Sequence, residues 1–355
     1  MNIKRSLRHG AFKILLFFKQ KRESFSKIRA FLPFLLLFFP YQFPLFGRSD
    51  YVNTEIPLEL DAPWTTGPLF TPSAVIVPKG SINIQPYVFV NEVRGHFITH
   101  GFRALGSTLH NVNFETYITY GLTHRMNLIL VGQLNSNEKR GKTYTGIGNS
   151  LIGFNVQLWK EDPYSLLPGA KFLFLEGFPT GSYQNLDPFL GGVDATGDGC
   201  FSTRIGIVFG KTFHIRNYIW LSSRLFLSTN FFHPVSVEGL NSYGGSLHTK
   251  GRVYRQNSFP ASVGMELSFS KNLSVALDIV STYIGPATFK GNPGVLINGQ
   301  SATVGYPSVY QISLAPAVEW NFSSQFGIIM GGVFTVFDKN DDRFTSFVCS
   351  ININK

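Results

Sequence analysis

The residues of this chain that could do chemistry are few, and their spacing is poor for catalysis. Its eight histidines (His9, His96, His100, His110, His124, His214, His233 and His248) are scattered, with no His-x-x-x-His pair on one helix to grip a metal. His96 and His100 fall in an expected loop, where they could touch a metal but are ordinarily solvated. Ser107 and His110 are the nearest approach to the nucleophile and base of a lipid-modifying hydrolase. Three residues apart in a strand they would face opposite ways; Ser107 precedes the expected strand, so a turn is needed to join them. The run Gly191-Gly192-Val193-Asp194-Ala195-Thr196-Gly197-Asp198-Gly199 lacks the oxygen-ligand spacing of a calcium loop and the lysine of a phosphate loop. It reads as a flexible external loop, with weak cation binding by Asp194 and Asp198 as a further option. No catalytic residue, metal or cofactor is expected.

A different pattern carries more. Glu115, Arg204, Arg224, Glu266, Asp278 and Glu319 recur at one parity of alternating segments, with Gln85, Gln133, Asn149 and Gln311 between them. The opposite parity is apolar. In Asn111 to Tyr120, for example, Val112, Phe114, Ile118 and Tyr120 share a side. Period-two alternation means strands with two unlike faces. Apolar residues outward and mixed charges inward describe a barrel in lipid with a polar lumen. Such a lumen is either a constriction that selects solutes by size and charge or an ion-pair network that fills a closed barrel.

The composition fits. Charged residues are 15% and aromatics 15%, with 35 Phe and 35 Gly, yet the body has no run long enough to span a bilayer as a helix. The formal charge of +10 sits mostly in residues 1–30, which hold nine Lys or Arg and one acid. It therefore suggests no nucleic-acid partner. Residues 1–48 read as a signal peptide whose apolar core, Phe31 to Phe39, is broken by Pro33 and bounded by Pro40. Residues 49–79, with five prolines and no clear period, read as a periplasmic extension or partial plug, and residues 80–355 as the barrel. The two cysteines, Cys200 and Cys349, fall far apart in strand order and read as free thiols.

About twelve strands are expected: 81–92, 109–120, 126–135, 146–159, 169–177, 200–210, 218–231, 258–269, 272–283, 308–321, 326–336 and 343–353. Their connections alternate. One set is mostly short, as at Gly121 to Arg125, Lys211 to Asn217 and Ser270-Lys271; the other includes three long ones, near 178–199, 232–257 and 284–307. With an even strand number, every long loop lies on one side, as in barrels with periplasmic turns and external loops. A soluble sandwich has no reason to sort them.

The strand Pro168-Gly169-Ala170-Lys171-Phe172-Leu173-Phe174 ending in Phe178-Pro179-Thr180-Gly181, the stretch Phe70-Thr71-Pro72-Ser73 before a strand opened by Gly80, and Tyr120-Gly121-Leu122-Thr123 at a turn together resemble an outer-membrane family. It is the family named for the meta-cleavage pathway of phenol degradation. The resemblance spans residues 65–355 and implies a barrel of this size that transports hydrophobic or aromatic compounds. The last residues, Ile351 to Lys355, depart from the terminal aromatic that barrel assembly usually reads; either the signal is relaxed here or Phe347 serves. The expected protein is thus all-β, a transmembrane antiparallel up-and-down barrel in the bacterial outer membrane. Its expected partners are outer-membrane lipid, small solutes and the assembly machinery. Its expected role is passive passage of small solutes, with a closed, surface-binding barrel and a lipid-modifying hydrolase as alternatives.

Overall fold

The computed structural model describes residues 62–98, 101–216, 218–340 and 342–355, without the side chains of 94–107, 342 and 343. The leader, His9 and His100 lie outside the described residues, as do the side chains of His96 and Ser107. Sixteen strands are described: β1 (Ile82–Ile98), β2 (Gly101–Gly121), β3 (Met126–Lys139), β4 (Lys142–Ile147), β5 (Ser150–Trp159), β6 (Gly169–Phe178), β7 (Ser202–Arg216), β8 (Ile219–Phe232), β9 (Val235–Glu238), β10 (Lys250–Arg255), β11 (Ser258–Ser268), β12 (Leu273–Ile284), β13 (Ala287–Asn292), β14 (Val309–Asn321), β15 (Phe326–Lys339) and β16 (Asp342–Asn354).

Twelve of them, β1, β2, β3, β5, β6, β7, β8, β11, β12, β14, β15 and β16, pair antiparallel with their neighbours in order. β16 then pairs with β1, which closes the ring and leaves no sheet edge in lipid. Every expected strand overlaps one of these. The short β4 continues the line of β5 along β3. Alternation sets the faces. On β14, Ala315, Ala317 and Glu319 are buried while Val318 and Trp320 are about half exposed. On β16, Val348 is buried between outward Phe347 and the half-buried free thiol of Cys349. An outward face of Leu, Ile, Val and Phe is what hydrocarbon requires, and this is an outer-membrane type of barrel.

The strands run further than their apolar pattern does. β1 continues to Ile98 and β2 begins at Gly101, beyond the ends that the alternation marks. Near those ends an asparagine ladder crosses three strands: Asn91 donates to Asn111 at 2.8 Å and Asn111 to Asn137 at 2.7 Å. Ser107 lies inside β2, in a stretch where the register with β1 shifts. The connection expected at Lys211 to Asn217 is strand through Arg216.

The long connections all leave one rim, and they are not simple loops. β9, β10 and β13 form a separate three-stranded sheet. Val235, Val237, Val253 and Ala287 bury against Cys200 and Tyr243 to give it a core. Strands of four to six residues carry too few alternations to stand out in a sequence.

Candidate functional site

The lumen is partly occupied by residues 62–79, which belong to the same compact unit as the barrel and run from the β12–β14 wall across to β5 and β3. This segment has no strand partners of its own, so its backbone groups must find acceptors and donors elsewhere. Inward side chains supply them. Asp278 on β12 accepts from the Phe70 and Thr71 N–H groups, each at 3.0 Å, and from the Thr71 hydroxyl at 2.5 Å. Glu319 on β14 accepts from the N–H and hydroxyl of Thr66 at 2.7 and 2.8 Å. Gln157 on β5 accepts from the Ile76 N–H at 3.1 Å and donates to the Ala74 carbonyl at 2.8 Å. Asn127 on β3 bridges the N–H and carbonyl of Val77 at 2.8 and 3.1 Å.

Small wall residues let the segment lie close. Leu69 is buried against Ala276, Ala315 and Ala317, with Tyr87 and Ile329 beside it. A Cβ on Gly264 would stand 2.7 Å from Pro68 and 2.8 Å from the Thr71 Cβ. Gly67 is held at φ +98°, and its missing side chain leaves room for the Arg224 guanidinium. Arg224 in turn donates to the Thr66 carbonyl at 3.3 Å.

Beside the segment a cavity of about 730 Å³ remains. It extends from the short-turn rim, at Ser324 and Asn354, up the wall formed by β1 to β8. Of the six expected lumen residues, Glu115, Arg204 and Arg224 line this cavity, while Asp278 and Glu319 are covered by the segment. Glu115 accepts from the Tyr117 hydroxyl at 2.6 Å, and Arg204 donates to Asn230 at 2.7 Å. Glu266 on β11 is buried, with the Ser268 hydroxyl at 3.4 Å and its Oε2 unbonded.

The ion-pair network, one of the two readings of these charges, is not what the described residues form. None of the six forms an ion pair with another; the buried acids are bonded by backbone and hydroxyl groups instead. The ion pairs described lie at the rims, such as Lys211 with Glu161 at 3.0 Å.

Sequence alternation also missed part of the lining. Lys171, Leu173 and Leu175 share the inward face of β6, and Ile129 faces them from β3. On β6 the outward residues, Phe172 and Phe174, are apolar too, so alternation could not tell its faces apart. Tyr87, Phe89 and Tyr117 add an aromatic patch, with ring centroids 5.7 Å apart at each step, and Phe70 of the segment joins it at 6.2 Å.

The long-loop rim corrects a second expectation. The glycine-rich run 191–199 is anchored: Val193 is buried, and Asn137 donates to the carbonyls of Val193 and Ala195 at 2.7 and 3.2 Å. Each of its aspartates has partners, although Oδ1 of Asp194 is buried without one. Asp194 accepts from the Asp187 N–H at 2.7 Å. Asp198 accepts from Asn149 at 2.7 Å and is ion-paired with Arg255. Arg255 also lies over the Phe232 ring, 3.7 Å from its centroid. The Tyr243 hydroxyl donates to the Asp198 carbonyl at 2.6 Å and sits 3.2 Å from the Cys200 sulfur. Burial pushes both the Cys200 thiol and the Tyr243 phenol above their ordinary pKa values.

No family model matches the chain, and no curated protein matches it. Solved structures do. An outer-membrane channel from Pseudomonas putida F1 superposes with a TM-score of 0.62 at 12% identity, over 80% of this chain and 98% of that one. The translocator domain of the autotransporter NalP from Neisseria meningitidis overlaps less, with a TM-score of 0.42 at 10% identity, over 78% of this chain and 88% of that one. A KdgM porin in complex with disordered oligogalacturonate gives 0.38 at 9% identity, over 76% and 98%. At such identities the likeness is one of fold.

Proposed function

We propose that this chain is an outer-membrane channel that passes small solutes passively, with residues 62–79 acting as a partial plug. One observation carries the reading. The segment is bonded to β12 and β14 through Asp278 and Glu319 and to β5 and β3 through Gln157 and Asn127, and it still leaves a cavity of about 730 Å³ beside it. A plug that filled the lumen for stability alone would leave no space of this size. A lumen of this kind selects by size and by the charges that face the passing solute. The solved channel from Pseudomonas putida F1 shares the fold, which is consistent with this role and with kinship to the family named for the meta pathway. The aromatic and aliphatic patches beside the cavity suit the hydrophobic or aromatic compounds that kinship implies. Chemistry on the solute is not part of this reading, and Ser107 and His110 have no role in it.

A second reading has an observation of its own. The long connections pack into a cap with its own core at the rim far from the C-terminus, which suits a closed barrel that binds partners through that surface. Single-channel recording of the refolded chain in a planar bilayer separates the two. Steady conductance steps support the channel; silence from protein shown to be folded and inserted overturns it and favours the cap as the functional surface.

A further inference from the structure

The cavity carries an unbalanced charge. Lys171, Arg204 and Arg224 enter its lining from three adjacent strands, and Glu115 is the one acidic side chain among the described lining residues. Of the other candidate carboxylates, Asp278 and Glu319 are committed to the segment's N–H and hydroxyl groups, and Glu266 is buried in β11 and does not line the cavity. Lys171 is the most telling. Only 4% of it is exposed, it lines the cavity, and no described residue accepts a hydrogen bond from its ammonium or pairs with it. Arg224, two strands away, gives one donor to the Thr66 carbonyl and has others to offer. Burying an ammonium without a partner costs several kcal/mol, roughly, so an anion reaching both the lysine and the arginine would hold the two charges there.

The same strand says what kind of anion. Two and four residues beyond Lys171, on the same face of β6, stand Leu173 and Leu175, with Ile129 packed against them. At roughly 3.3 Å per residue, an apolar surface about two residues long begins where the ammonium ends.

We propose that this cavity binds small organic anions consisting of a carboxylate on an apolar body, the carboxylate on Lys171 and Arg224 and the body along Leu173 and Ile129. This deepens the channel reading and rests on it only for passage, since the site exists whether or not solutes traverse it. A cavity of about 730 Å³ is ample for one such molecule and the water around it.

The test is isothermal titration of the full refolded barrel in detergent with three probes: benzoate, acetate (the same head without the body) and phenol (the same ring without the charge). Benzoate should bind, with acetate and phenol each about tenfold weaker or more, because each lacks one half of the site. Lys171→Met should weaken benzoate about tenfold and leave phenol unchanged. Lys171→Gln serves in its place if the Met variant loses the heat-resistant band of a folded barrel. No benzoate binding to folded protein overturns the proposal, and so does phenol binding as well as benzoate with neither affected by the substitution. Bilayer recording separates this from the channel itself. Benzoate binding without current would keep the site and overturn the channel; current without benzoate binding would do the reverse.

Discussion

Asp278→Asn tests whether the segment in the lumen is held by the bonds described. The carboxylate accepts three hydrogen bonds from Phe70 and Thr71, all between residues more than 200 apart in sequence. An amide of the same shape keeps its oxygen for the Thr71 pair at Oδ1 and turns an NH2 toward the Phe70 N–H. One bond is lost outright, an N–H is left facing a donor, and the other two lose their charge assistance. Hydrogen bonds to charged groups contribute roughly 1.5–3 kcal/mol and an orphaned buried donor costs roughly 1–3 kcal/mol, so a loss of about 3 kcal/mol is expected. That is about a hundredfold in the ratio of docked to undocked segment. Hydrogen exchange read by mass spectrometry on residues 66–76 is the direct assay: exchange at Phe70 and Thr71 should accelerate about a hundredfold while the strand amides of β12 stay protected. In a bilayer the same variant should conduct more, because an undocked segment widens the open part of the lumen. Unchanged exchange at those two amides in a folded variant would refute the reasoning, since it would mean that Leu69 packing and the Glu319 and Gln157 anchors hold the segment without Asp278.

Three further outcomes are expected. Leu225→Glu puts a charge on the lipid face at a cost of up to a few kcal/mol, roughly, and should impair insertion; Arg224→Glu, one residue away on the lumen face, should insert and shift conductance toward cations. If Leu225→Glu assembled normally and Arg224→Glu did not, the strand parity would be wrong. Gly67→Ala should loosen residues 62–79 by about 1–3 kcal/mol, because an L side chain is strained at φ +98° and its Cβ would overlap the Arg224 guanidinium; faster exchange at Thr66 checks it. Arg255→Ala removes the partner of Asp198 and the cation over Phe232, and should open the cap without unfolding the barrel. Cys200, which burial keeps as an unreactive thiol, should then react with a water-soluble disulfide reagent at pH 8, while the parent does not; equal reactivity of the two would mean the cap does not depend on that pair.

Lipid made the barrel readable in the sequence. Outward residues have no alternative to being apolar, so Leu225 against Arg224 and Val318 against Glu319 declare their faces residue by residue. Wet connections are free to differ in length, which exposes their sorting between the two rims. These local constraints determined the strand number, the closure and the inward placement of Arg204, Arg224, Asp278 and Glu319. Nothing local determined what those inward groups do. Asp278 meets Thr71 across 207 residues and Glu319 meets Thr66 across 253, and a segment that bonds side chains instead of strands has no period to betray it. On β6 both faces are apolar, so Lys171 gave no sign of its direction. In the outer cap, strands of four to six residues find their partners only once the barrel rim brings three distant connections together. Which charges stay free to meet a solute was therefore decided by tertiary contact, because a carboxylate's availability depends on who reaches it first.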